Sequence, residues 1–270
     1  MLVLLPPSEG KADPQDGPPL RLEALSLPGL TEARRTVLDA LVALCAGEGE
    51  AAEEEARRVL GLGERLRGEV ARNAALRAAP TRPAGEIYTG VLYDALSLGT
   101  LDAAARRRAE ETLLVFSGLW GAVRPGDRIP SYRCSAGVKL PGLGALGAWW
   151  RGPLGEVLPA AAADAGVVLD LRSTAYAQMW KPSGELAERT VTVRVLHAKV
   201  VDGVEKRSVV SHFNKATKGR LVRDLLVAGA APADPKELVE TVRELGYTVE
   251  EPRQPRPGRP RQLDVVVTEL

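Results

Sequence analysis

Three short apolar runs place the strongest constraint on what this chain can fold into. They cover residues 2–5, 113–116 and 167–171, and they contain one charged side chain between them. Continuous apolar runs of this length are typical of parallel strands buried on both faces. From residue 190 onward an alternating apolar and polar pattern indicates an antiparallel hairpin. The sequence therefore predicts a mixed α/β fold, a single compact domain over residues 1–270 with a mixed sheet and flanking helices.

Polar segments follow all three apolar runs. Open α/β sheets bind ligands beyond the carboxyl ends of their strands, so these segments are candidate site loops. The alternatives are a purely structural turn after the first run and an Arg124–Asp127 ion pair that only ties down the second loop. The candidate side chains are Ser8, Glu9 and Lys11 after the first run, Arg124, Asp127, Tyr132 and Arg133 after the second, and Ser173 and Tyr176 after the third.

A basic helix start is predicted at residues 211–223, which read S-H-F-N-K-A-T-K-G-R-L-V-R. Ser211 and Asn214 are both good N-cap residues, and the N–H groups of a helix start favour anions. Lys215 and Lys218 are three residues apart and share one face of the helix. His212 lies at the junction between the preceding strand and this helix. The alternative is an ordinary solvated basic face on an amphipathic helix.

Residues 59–70 have the layout of a helix-hairpin-helix within a helical subregion at residues 31–80. Gly61 and Gly63 would form the turn, and Arg65 and Arg67 would contact DNA phosphates. The alternative is a plain connection between two helices of the core.

Composition narrows the function classes. No apolar run reaches the roughly eighteen residues of a membrane span, and we expect a cytoplasmic protein without a membrane partner. Two cysteines and two histidines favour neither a disulfide framework nor a metal site, and we predict no cofactor. The net charge of +1 means that nucleic acid would be bound by a local patch. A basic, proline-rich loop at residues 253–262 is one such patch, or simply a flexible connection.

The chain resembles the YaaA family through five segments in the family's order. These are P-P-S-E-G-K at residue 6, I-Y-T-G at residue 87, S-G-L-W-G and R-P-x-D within residues 117–127, L-x-S-x-x-Y at residue 171, and S-H-F-N-K-x-T-K-G-R at residue 211. The resemblance implies a bacterial cytoplasmic protein that resists peroxide stress by limiting free iron and the damage it causes. It also implies a mixed α/β fold with a helix-hairpin-helix-like element, and DNA binding. Residues 59–70 match that element by position.

Two functions are consistent with these features. The first is a DNA-binding stress protein that holds backbone phosphates through the hairpin and the basic helix. The second is an enzyme acting on a nucleotide-like or phosphorylated small molecule in one pocket. Direct iron sequestration ranks lowest, because the chain lacks a dense set of iron ligands. The candidate catalytic residues are Ser8, Glu9, Lys11, Asp127, Tyr132, Ser173, Tyr176 and His212, and the candidate anion-binding residues are Lys11, Arg124, Arg133, Asn214, Lys215 and Lys218.

Overall fold

The computed structural model describes residues 1–201, 204–209, 211–251 and 256–268. Within those ranges only the backbone is described for residues 200, 201, 204, 205 and 211–213. The predicted roles of the Ser211 and His212 side chains therefore lie outside the described residues. Residues 253–255, at the start of the predicted loop at residues 253–262, also lie outside the described residues.

Groups of helices and groups of strands follow one another along the chain. The strands are β1 (Leu2–Leu5), β2 (Arg82–Pro83), β3 (Leu113–Ser117), β4 (Gly121–Val123), β5 (Arg128–Ile129), β6 (Lys139–Leu140), β7 (Gly144–Ala145), β8 (Val168–Asp170), β9 (Thr190–Val201), β10 (Val204–Ser208), β11 (Thr248–Glu250) and β12 (Arg261–Val267). The helices are α1 (Thr31–Cys45), α2 (Glu50–Leu60), α3 (Gly68–Ala74), α4 (Ala84–Ile87), α5 (Val91–Leu96), α6 (Ala103–Thr112), α7 (Leu146–Trp149), α8 (Arg151–Ala161), α9 (Thr174–Ala177), α10 (Gly184–Glu188), α11 (Ser211–Val227) and α12 (Pro235–Glu244).

One mixed sheet forms the centre of the molecule, with the strand order β11-β12-β9-β8-β1-β3-β4 and β10 paired to β9. Strands β3, β1, β8, β9 and β12 run parallel, whereas β4, β10 and β11 are antiparallel to their neighbours. The prediction of a mixed α/β fold is confirmed. The three apolar runs coincide with β1, β3 and β8, and every residue of these strands is buried.

The strand order reverses at β1, and this reversal positions the candidate site. Leu4 pairs with Leu114 of β3 on one side and with Asp170 of β8 on the other. The chain therefore leaves β1 for one side of the sheet and later returns to its other side. In open parallel sheets such a switch point leaves a crevice beyond the carboxyl ends of the strands.

Helix α11 lies unusually close to α5. A Cβ atom on Gly219 would collide with the carbonyl oxygen of Leu92 and would lie 2.9 Å from the Cβ of Ala95. Only glycine permits this approach. Lys215 lies one turn before Gly219 on the same face of α11 and is therefore carried toward α5 and the switch point.

The hairpin after α2 has the geometry of a common helix end, and a helix-hairpin-helix element is not confirmed. Gly61 adopts a left-handed conformation with φ of 66°, and the N–H groups of Gly61 and Leu62 bond to the carbonyls of Arg58 and Arg57. This is the usual way of closing a helix with glycine. A single 3₁₀ turn (Glu64–Leu66) then leads into α3, which packs against α1.

Candidate functional site

A cleft of about 770 Å³ opens beyond the carboxyl ends of β1 and β8. Its walls come from six separate stretches of the chain, which are residues 6–11, 60–62, 89–93, 132–137 and 173–176 together with Lys215. The cleft brings together most of the predicted pocket residues, namely Ser8, Glu9, Lys11, Tyr132, Arg133, Ser173, Tyr176 and Lys215.

Lys11 is held firmly at the wall of this cleft. Its backbone pairs with Tyr88, and the N–H of the next residue, Ala12, donates to the carbonyl of Ile87 at 2.8 Å. The Nζ atom donates to the carbonyl of Ser8 at 2.8 Å and lies 4.4 Å from the ring centre of Tyr132. Burial, and after it the charge of Arg133, lower the pKa of Lys11 to about 8.

The turn before Lys11 is built from its own hydrogen bonds. The Ser8 hydroxyl donates to the carbonyl of Gly10 and accepts the N–H of Thr89 at 3.2 Å. The Glu9 carboxylate forms an ion pair with Arg133 at 2.8 Å, and Arg133 also donates to the Glu9 carbonyl at 3.1 Å. The guanidinium of Arg133 therefore faces the cleft with one exposed carboxylate attached to it.

Buried hydroxyl groups lie beneath the cleft. The Tyr132 hydroxyl is 2.9 Å from that of Tyr88 and 2.6 Å from that of Ser117. Ser117 accepts the N–H groups of Leu119 and Trp120, so its own proton is free to point to Tyr132. Burial raises the pKa of Tyr132 well above its ordinary value and outweighs the hydrogen bond from Ser117. The phenols are therefore neutral hydrogen-bonding groups and not phenolate bases at neutral pH.

The third strand end adds two further groups. Ser173 occupies the N-cap position of α9, and Tyr176 lies in its first turn. Burial raises the pKa of Tyr176 to about 12. Both residues line the same cleft as the turn at Ser8. Hydroxyl groups that follow the neighbouring strands β1 and β8 therefore line one cleft.

Two of the predicted basic-helix residues lie beside the cleft and not on its wall. Lys218 donates to the carbonyl of Leu171 at 3.3 Å, and burial lowers its pKa although Asp170 opposes this effect. The Oδ1 atom of Asn214 is buried without a hydrogen-bond partner. Of the helix residues whose side chains are described, Lys215 is the one that reaches the cleft.

Arg124 and Asp127 lie away from the cleft and organise the loop after β4. The Asp127 carboxylate accepts the N–H of Ser26 at 2.7 Å and that of Arg124 at 2.9 Å. The Arg124 guanidinium donates to the carbonyls of Glu110 and Glu111. Both side chains thus tie down the loop, as in the alternative interpretation. They do so through hydrogen bonds to backbone groups and not through the Arg124–Asp127 ion pair that this interpretation predicts.

The hairpin at residues 61–67 touches the cleft through Gly61. Of its two basic residues, Arg67 is already paired, with Glu53 at 2.9 Å and with Glu64 at 3.4 Å, whereas Arg65 is exposed. Residues 48–69 contain seven glutamates and four arginines. A phosphate approaching the hairpin would therefore meet a net negative segment.

Sequence reasoning did not select several groups that complete the cleft. Thr89 lies within the I-Y-T-G segment and Tyr93 follows it, and Cys134 and Ser135 directly follow Tyr132 and Arg133. The I-Y-T-G segment was recognisable as a motif, but nothing in its letters shows that it pairs with the backbone at Lys11. Burial raises the pKa of the Cys134 thiol to about 12, so at neutral pH this thiol is an uncharged part of the cleft wall.

In the described part of the chain, no group of three or more His, Cys, Asp or Glu side chains is arranged to hold a metal ion. Every helix in that part also falls short of the length and apolarity that crossing a bilayer needs.

Comparison with known proteins identifies the family. A family model described as peroxide stress protein YaaA matches residues 1–253. A UPF0246 protein of Streptomyces coelicolor is 67% identical over 270 residues, which is the full length of both chains. A UPF0246 protein of Corynebacterium efficiens is 41% identical over 268 residues, covering 99% of this chain and 100% of the relative. The chain belongs to the peroxide stress protein YaaA family, as its five motifs indicate.

Proposed function

We propose that the cleft binds the phosphate-bearing part of a nucleotide and that DNA is the source of this nucleotide. The observation that carries the proposal is the convergence of Lys11, Arg133 and Lys215 from three separate segments on one cleft. Convergent cations supply the charge that a phosphate needs, and the Arg133 fork can bind two of its oxygens once the phosphate displaces the exposed Glu9 carboxylate.

The remaining groups of the cleft suit a sugar and a base. The hydroxyls of Ser8, Ser173 and Tyr176 provide neutral donors and acceptors around the cations. The volume of about 770 Å³ lies within the range of small-molecule sites, which is roughly 300–1,000 Å³. A single nucleotide drawn out of a DNA strand would therefore fit, as in enzymes that take one base out of the stack.

The ion pairs of the basic residues favour DNA contact through the cleft over contact through the hairpin alone. Arg67 is paired with acidic side chains, whereas Lys11 forms no ion pair with any described residue. Gly61 still lies at the cleft, so we propose that the hairpin backbone at Gly61 and Gly63, with exposed Arg65, borders the bound strand.

A second candidate is an enzyme that acts on a free nucleotide-like or phosphorylated molecule. The buried lysine at Lys11 and the hydroxyl cluster at Tyr132 favour it, because binding alone requires neither. Both candidates share one ligand chemistry, and the experiment below separates them.

Fluorescence anisotropy with labelled single-stranded, nicked and duplex oligonucleotides tests the proposal at low and at roughly physiological salt. We expect binding that weakens with salt, with a log–log slope of about 0.9 for each phosphate neutralised in duplex DNA. Adenosine monophosphate and inorganic phosphate are added as competitors. Competition by the nucleotide without binding of any oligonucleotide would favour the free small molecule. Absence of both would contradict a phosphate-binding cleft.

At the level of the cell, we propose that DNA binding in the cytoplasm contributes to peroxide resistance and helps to limit iron-driven damage. A strain that carries a Lys215→Glu protein should survive peroxide less well than one that carries the unaltered protein. Equal survival of the two strains at equal protein levels would mean that peroxide resistance does not depend on the cleft.

A further inference from the structure

Lys11 is placed as a reactive amine and not only as a cation. Lys11 lines the cleft, its Nζ hydrogen bond goes to a neutral carbonyl, and no carboxylate of the described residues lies within ion-pair distance. The nearest carboxylate on the same turn, Glu9, is engaged by Arg133. The Ser8 carbonyl takes one of the three N–H groups of the ammonium, and Nζ makes no second hydrogen bond to a described residue.

The protonation state supports this reading. Burial lowers the pKa of Lys11 to about 8, with the charge of Arg133 as a second cause. At neutral pH this raises the fraction of neutral amine roughly 300-fold above that of an ordinary lysine. The ring of Tyr132 at 4.4 Å favours the ammonium form, so the residue populates both forms near neutral pH. Lysines in this state form imines with carbonyl compounds.

The neighbouring groups indicate which carbonyl compound would fit. Arg133 and Lys215 line the same cleft and can hold a phosphate, while Ser8 and Ser173 can bond to sugar hydroxyls. We propose that Lys11 forms an imine with the aldehyde of a phosphorylated sugar held in the cleft, as in an abasic site of DNA. This inference rests on the proposed phosphate-binding function.

The reaction balances without any other reagent. The lone pair of Nζ attacks the aldehyde carbon and a C–N bond forms. The carbonyl oxygen takes up two protons from the nitrogen, directly or through solvent, and leaves as water. The products are the imine and one water molecule, and the step is reversible. No group is oxidised or reduced.

Borohydride trapping tests the proposal, because it reduces the imine to a stable secondary amine. The full-length protein is incubated with an oligonucleotide that carries one abasic site, or with free 2-deoxyribose 5-phosphate, and is then reduced. We expect an adduct whose mass equals protein plus aldehyde minus water plus two hydrogens, mapped by peptide mass spectrometry to Lys11. An adduct with the oligonucleotide identifies DNA as the source, and one with the free sugar alone identifies the small molecule.

Variants provide the controls. Lys11→Arg keeps the charge and removes the nucleophile, and should lower the adduct yield about 100-fold. Lys11→Gln serves the same purpose if arginine does not fit. Lys236→Arg alters an exposed lysine at the start of α12 and should leave the yield unchanged. Because the adduct is mapped on the unaltered protein, the result does not depend on the variants folding.

Two outcomes overturn the inference without overturning the proposed function. One is absence of any adduct from both aldehydes while the anisotropy experiment still shows phosphate-dependent binding, which leaves the proposed function intact. The other is an adduct mapped to Lys215 or to an exposed lysine and not to Lys11. Absence of both binding and adduct overturns the inference together with the proposed function.

Discussion

The cleft and the hairpin at residues 61–67 each contain an arginine paired with a carboxylate, but the cleft also contains Lys11, which has no ion-pair partner among the described residues. Lys11 donates to a backbone carbonyl, whereas Arg67 is held by the carboxylates of Glu53 and Glu64. A cation already paired with a carboxylate must break that pair before it binds a phosphate. A cation paired only with a neutral group does not. A turn that contains glycine and arginine therefore binds phosphate well only where neighbouring carboxylates do not already pair with the arginine.

The glycine of α11 that brings Lys215 to the cleft is packed more closely than the hairpin glycines, and this difference gives the largest expected effect. Gly219→Ala should destabilise the protein by about 2 kcal/mol, because the new methyl group collides with Leu92 and outweighs the better helix propensity of alanine. Gly63→Ala should be nearly neutral, since Gly63 has an ordinary φ of −71° and open space around it. Urea denaturation measures both.

Equal destabilisation by the two alanines would mean that α11 is not held close to α5. It would then also remove the reason for placing Lys215 at the cleft. Anisotropy on Gly219→Ala under conditions in which it remains folded gives a second readout, because a shifted α11 should weaken phosphate binding while Gly63→Ala leaves it unchanged.

The strands were predictable from the sequence because their apolar runs reflect burial on both faces. Residues 2–5, 113–116 and 167–171 all lie in the centre of the sheet. The convergence of Ser8 and Ser173 follows from the same pattern, because the carboxyl ends of neighbouring parallel strands meet at one edge.

Other parts of the site depend on contacts between segments distant in the chain, which no local pattern encodes. Arg124 and Lys11 look equally suited to an anion in the sequence, but the carbonyls of Glu110 and Glu111 engage Arg124 elsewhere. Gly219 likewise reads as an ordinary helix glycine until α5 is seen against it. The glycines of the hairpin resemble those of a DNA-binding turn. However, the glutamates of α2 make the surrounding segment negative, and one of them, Glu53, pairs with Arg67.

Charge reversal at one residue of each region tests the comparison directly. Lys215→Glu should weaken binding of the phosphate-bearing ligand by at least about tenfold, because it removes one of the converging cations and adds a repelling charge. Arg67→Glu should change the affinity less than about threefold, because Arg67 is already compensated by acids. Anisotropy titrations at matched salt measure both. A larger effect at Arg67 than at Lys215 would transfer the binding site from the cleft to the hairpin.

The pH dependence of stability gives the smallest expected effect. It compares Lys11 of the cleft with Arg67 of the hairpin when no ligand is bound. The pKa of Lys11 in the folded protein is about 8, below its ordinary value of 10.5, so between these values the unfolded chain binds more protons than the folded one. The protonated lysine therefore destabilises the fold below pH 8, and this cost disappears as the pH rises from 8 to 10.5. The other charged or titratable groups acting on it are Arg133, which opposes the charge, and Cys134, Glu69 and Glu9, which favour it.

Lys11→Met should consequently stabilise the protein at pH 7 by about 1 kcal/mol, after allowance for the lost hydrogen bond to Ser8. The gain should vanish near pH 10.5. Arg67→Met should give no gain at either pH, because it breaks an exposed ion pair whose contribution is small. Urea denaturation of both variants and the unaltered protein, repeated from pH 7 to pH 10, measures these differences. A loss of stability in Lys11→Met at pH 7 would mean that the ammonium group is stabilised in the cleft, and that the amine is not held in its reactive form.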